Sequence, residues 1–158
     1  MKVYSAVLLA AVCFLSGCFA SARLYPIKGP LAEQAPQPIY AARAEAGFRS
    51  GSFSATLGNG EKCNGQWKRV TRTPRETGIG PADAESLAPA WDAVYGSGFY
   101  TANVLGADVR IAGQIPCSRG SSLRVDAIQH SIGSGTDAAL VIKGVAMDGK
   151  GNIYKMAF

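Results

Sequence analysis

Apolar and polar residues alternate through much of the second half of the chain, and the alternation predicts strands. Phe53, Ala55 and Leu57 alternate with serine and threonine, the period of a half-buried strand. Gly58-Asn59-Gly60-Glu61 follows; Asn-Gly is the strongest short hairpin signal, because both central residues of the tight turn need φ > 0. The return strand runs over 62–68, with Cys63, Gly65 and Trp67 on one face. A glycine between thiol and indole leaves room for a neighbouring backbone or for the ring itself. Val109, Ile111, Gly113, Ile115 and Cys117 alternate again, as do Leu123, Val125 and Ala127. Residues 140–147 read as an almost continuous apolar strand, and 153–158 close the chain. Turns at 118–121, 133–137 and 148–152 separate these runs. About six strands joined by Gly-rich turns predict a mainly β fold, a small antiparallel sandwich or barrel, over 48–158.

One segment reads as a helix. Ser86 caps residues 87–95, Pro89 is tolerated in the first turn, and Gly96 ends the run. Leu87, Trp91 and Val94 or Tyr95 form its apolar stripe, which assigns Trp91 and Tyr95 to packing rather than to a ligand. Residues 73–82 read as an irregular loop. Gly96-Ser97-Gly98 lacks the lysine and flanking strand of a phosphate loop. Upstream, residues 18–47 carry Pro26, Pro30, Pro36 and Pro38. Proline fixes φ and cannot donate to a ladder, so the expectation is a semi-extended tether. Leu24, Tyr25, Ile27, Leu31, Ile39 and Tyr40 are more apolar surface than a spacer needs, and part of the tether is expected to pack along the domain.

The N-terminus changes the picture. Met1-Lys2 precedes an apolar run over 3–14 that is shorter than the roughly 20 residues of a membrane span. A positive start, a short apolar run and small residues make a secretory signal. Leu15-Ser16-Gly17-Cys18 then resembles the bacterial lipobox at all four positions. That resemblance implies removal of residues 1–17, diacylglyceryl transfer to the Cys18 thiol, and fatty acylation, such as with palmitate, of the new amino terminus. Two or more chains hold a protein where one chain binds reversibly. Phe19 follows Cys18, and in lipoproteins generally a residue other than aspartate there points to the outer membrane.

Charge and cysteines narrow the rest. The chain has 158 residues and a net charge of +5, of which Lys2 leaves with the leader. The remainder is one domain's worth. Its basic residues do not cluster with aromatics, which speaks against nucleic acid. Of four cysteines, Cys13 lies in the leader and Cys18 in the lipobox, leaving Cys63 and Cys117 in an oxidising compartment. They form one disulfide or remain two buried thiols, and the disulfide is favoured. With one histidine and no CxxC, no metal site and no cofactor are expected.

Four blocks together resemble a family of small, uncharacterised bacterial lipoproteins. They are Arg23-Leu24-Tyr25-Pro26-Ile27-Lys28-Gly29-Pro30-Leu31-Ala32; Asn59-Gly60-Glu61-Lys62-Cys63-Asn64-Gly65-Gln66-Trp67; Trp91-Asp92-Ala93-Val94-Tyr95-Gly96; and Gly144-Val145-Ala146 with Lys150-Gly151-Asn152-Ile153-Tyr154-Lys155. The resemblance implies an anchored envelope protein and supplies no catalytic residue. Asp126, Ile128 and His130 share one strand face beside Ser131, but a hydrolase triad needs mutual hydrogen-bond reach and an oxyanion hole, and no GxSxG is present. No catalytic residue is nominated. Tyr154, Met156 and Phe158 alternate as in the last strand of outer-membrane barrels, a weak signature. The leading expectation is a non-enzymatic envelope lipoprotein, structural or binding, attached to the outer membrane and facing the periplasm. Its alternative is an inhibitor or adaptor for an envelope protein partner, similar in general plan to the lipoprotein lysozyme inhibitors but without their Tyr-x-Cys motif. A small hydrolase comes last.

Overall fold

A computed structural model of the chain describes residues 19–45, 47–58, 60–70, 87–132 and 139–158. Eight strands follow one another: β1 (Phe19–Lys28), β2 (Tyr40–Glu45), β3 (Ser50–Thr56), β4 (Lys62–Arg69), β5 (Val109–Pro116), β6 (Ser122–Ile132), β7 (Ala139–Asp148) and β8 (Ile153–Ala157). Each pairs antiparallel with the next, and β8 pairs with β1, so the sheet closes into an up-and-down barrel. Closure leaves no strand edge exposed. The helix α1 (Ala88–Tyr95) and one π-helical turn (Tyr100–Val104) lie between β4 and β5.

The fold is the expected antiparallel β barrel, with eight strands rather than about six. The two additional strands come from the segment read as a tether. Residues 19–45 are not a spacer: β1 and β2 are integral staves, paired from Phe19↔Glu45 to Leu24↔Tyr40. The prolines do not oppose this placement. Pro26 sits where the β1–β8 register shifts, a position that tolerates a missing N–H. Pro30, Pro36 and Pro38 lie in the connection between β1 and β2. Gln37 donates a side-chain hydrogen bond to the Pro26 carbonyl and pulls that connection back onto the barrel.

Inward positions fill the barrel. Small residues on β1 to β3 (Ala22, Ala42, Ala44, Ala55) face large ones (Phe53, Trp67, Tyr154, Met156) in one cluster with Leu24, Ile115 and Leu123. Alternating small and large side chains fit a narrow taper. Gly51 pairs with Trp67, and a Cβ there would come within 2.7 Å of the indole. At Gly65 a Cβ would come within 3.2 Å of the Ile115 Cα, so this glycine lets β5 approach β4.

The almost continuous apolar run in β7 has a direct cause. Its inward residues Ile142 and Ala146 join the barrel core, while outward Val145 lies under α1. Ile128 of β6, Ile153 of β8, and Leu87, Ala90 and Trp91 of the helical segment complete this second cluster. A strand covered on both faces loses its alternation. The helix occupies the predicted segment, beginning after Leu87 with Pro89 in its first turn; Ser86, the expected cap, lies outside the described residues. So do the 73–82 loop and the 133–137 turn.

Candidate functional site

The two ends of the barrel differ in chemistry. The upper end, where β1 finishes, is braced by hydrogen bonds around a cavity of about 150 Å³ lined by Leu31, Leu57, Glu61, Asp148, Asn152 and Tyr154 among others. Asp148 accepts from the backbone N–H groups of Lys150 (2.9 Å) and Asn152 (3.0 Å), folding the β7–β8 hairpin over its own carboxylate. It also accepts from the Asn152 side chain and the Tyr154 hydroxyl, both at 2.8 Å. The Asn152 side-chain Oδ1 in turn accepts from the Leu31 N–H, pinning the β1–β2 connection. Burial, then the bond to Asp148, raises the Tyr154 phenol pKa far above its usual range. Cys63 and Cys117 are disulfide-bonded at this same end, facing each other across β4 and β5. Of the two open readings of these cysteines, the bridge is the one present.

The lower end is where β1 begins. Cys18 lies outside the described residues, but the next residue, Phe19, is the first of β1 and already pairs with Glu45. Phe48 stands in the β2–β3 connection and is 81 % exposed. The Arg69 guanidinium lies 5.7 Å from the Phe48 ring centroid, and Arg43 lies 4.9 Å from that of Phe19. Phe158, one residue past β8, is 40 % exposed. Between these residues a cavity of about 190 Å³ enters the barrel mouth, lined by Ala20, Ala44, Phe48, Trp67, Ile142 and Phe158 among others. The Trp67 indole N–H is buried without a hydrogen-bond acceptor among the described residues.

The outer wall holds the remaining charged pair. Asp126, 1 % exposed on β6, accepts from Arg110 Nε (3.0 Å) and Nη2 (2.8 Å) and from Trp91 Nε1 (3.0 Å). Burial pushes the Arg110 pKa down, but the Asp126 hydrogen bond and charge outweigh it, so the net shift is upward. Tyr95, Phe99 and Trp91 stack beside this pair, and Lys143 lies over the Tyr95 and Phe99 rings. His130 shares the β6 outer face with Asp126 but lies four residues along, about 13 Å at strand rise, beside Asn103 and Asp108. Asp126 and His130 are therefore not brought together.

Among the described residues, no group of three or more His, Cys, Asp or Glu could hold a metal ion. No helix among them is long and apolar enough to cross a membrane. The core faces inward, while Arg43, Thr56, Asn64 and Gln66 face out, the inverse of an outer-membrane barrel. The alternation of Tyr154 and Met156 is thus that of a water-facing barrel with both residues inside. Sequence reasoning missed the Phe48, Arg69 and Phe158 grouping, because Phe48 sits in the β2–β3 connection, Arg69 ends β4 and Phe158 follows β8, and they meet only when the barrel closes. No family model, curated protein or solved structure matches the chain.

Proposed function

We propose that this chain is a lipid-anchored bacterial envelope lipoprotein, held in the outer membrane through acylated Cys18, with its barrel facing the periplasm. The barrel is a structural or binding module rather than an enzyme. The observation that carries the reading is the lipobox Leu15-Ser16-Gly17-Cys18 ending directly before the first strand. The blocks resembling small bacterial lipoproteins support the same reading. The buried acids serve the fold: Asp126 is satisfied by Arg110 and Trp91, and Asp148 by its own hairpin and Tyr154. An adaptor for an envelope protein is the second reading, favoured by the exposed Phe48 at one end.

Envelope fractionation tests the proposal. Wild type is expected in the outer-membrane fraction, released by detergent and not by salt. Cys18→Ser is expected to leave residues 1–17 attached and to leave that fraction. Wild-type protein released freely by osmotic shock overturns the reading.

A further inference from the structure

We propose that the lower end of the barrel is a membrane-docking surface, seated on the anionic bilayer that holds the anchor. The inference rests on the acylation of Cys18 proposed above and adds a second, non-covalent contact. Among the described residues, four of the seven exposed large hydrophobic residues, Phe19, Phe48, Val70 and Phe158, belong to this one end. Single apolar side chains scattered over a surface are ordinary; a group of them marks a contact. Arg43 and Arg69 lie over two of these rings, and exposed Arg49 follows Phe48 in the same connection. Aromatic rings with basic neighbours suit the headgroup layer, where the ring enters the acyl boundary and the guanidinium meets phosphate. Among the described residues, the acids at this end are Glu45 and Asp108, and the Glu45 carboxylate is held by the Ser52 hydroxyl at 2.9 Å.

The geometry of the chain selects the bilayer as the occupant. Consecutive Cα atoms stand about 3.8 Å apart, so an acylated Cys18 holds Phe19 at the membrane surface. A tether of thirty or so residues would let the domain tumble; β1 beginning at Phe19 leaves no such length. The end that carries the anchor is the end that carries the exposed rings. The apolar mouth lined by Phe48, Trp67 and Phe158 opens on that side.

The test uses the full lipidated protein in vesicles of phosphatidylcholine and phosphatidylglycerol, with bromine on the acyl chains of one preparation. Phe48→Trp places a reporter at the lower end and Ile39→Trp one at the upper end, with wild type as the background of Trp67 and Trp91. Brominated lipid is expected to remove most of the emission added by Phe48→Trp and to leave that added by Ile39→Trp. Arg49→Glu in the Phe48→Trp protein is expected to reduce the quenching, as is omission of phosphatidylglycerol. Phe19→Trp replaces Phe48→Trp if the latter alters the far-UV circular dichroism. Fatty-acid label at Cys18 is measured on the same preparation. Label without a difference between the two reporters overturns docking, leaves the anchor standing and frees this end for a protein partner. Absence of label overturns the anchor reading and this inference together.

Discussion

Two buried side chains carry consequences that can be measured singly. Asp126 satisfies both the Arg110 guanidinium and the Trp91 indole N–H. Asp126→Ala leaves a largely buried cation and a donor without an acceptor, a change that costs about 3–5 kcal/mol. Chemical denaturation should show this loss, and a change of a few tenths of a kcal/mol would contradict the account. Tyr154 gives a pH signature. Its pKa in the fold is raised above its ordinary value of about 10. The unfolded chain therefore loses this proton first as pH rises. Stability from Tyr154 is whole below about pH 10 and declines above it. Tyr154→Phe should remove one donor to Asp148, costing about 1–3 kcal/mol at neutral pH, and should flatten the alkaline decline. Tyr40 and Tyr95, also raised by burial, retain their shares. An unchanged alkaline limb in Tyr154→Phe would place the effect elsewhere.

At the scale of elements, the seam between β4 and β5 is distinctive. Its ladder holds Lys68↔Ala112 and Arg69↔Ile111 near the lower end, and the Cys63–Cys117 pair stands at the upper end. By contrast, β6 and β7 pair continuously from Leu123↔Asp148 to Ile132↔Ala139. The disulfide closes a 54-residue separation, and in the chain-entropy model it stabilises by about 4 kcal/mol. Reduction should lower the unfolding midpoint and speed amide exchange in β4 and β5 before β6 and β7. Uniform exchange across all four strands would show that the bridge does not staple this seam. The elements also show what the sequence made legible. β3 to β8 were readable because Phe53, Ile115, Leu123 and their neighbours alternate with polar residues. β1 and β2 were not, because Ala41, Ala42 and Ala44 give little contrast between faces and four prolines signalled a spacer. The prolines lie at a register shift and in a connection, where no ladder N–H is needed. The meeting of Asp126 with Trp91, 35 residues away, depends on α1 folding over β7 and β8, which brings the Trp91 indole to β6, and no local pattern reports it.

At the scale of the molecule, the barrel has one hydrogen-bonded end and one apolar end. The upper end is tied by Asp148, Asn152 and the disulfide; the lower end gathers Phe19, Phe48 and Phe158 around a mouth. Because β1 starts one residue after Cys18, the proposed acyl anchor would turn the hydrogen-bonded end, with the β1–β2 connection and the β7–β8 hairpin, away from the membrane. The central claim is the covalent anchor itself, and metabolic labelling with a fatty-acid analogue tests it most directly. Wild type should carry the label, and Cys18→Ser should carry none and migrate as the uncleaved precursor. Equal label on both proteins, or none on wild type, would contradict the account.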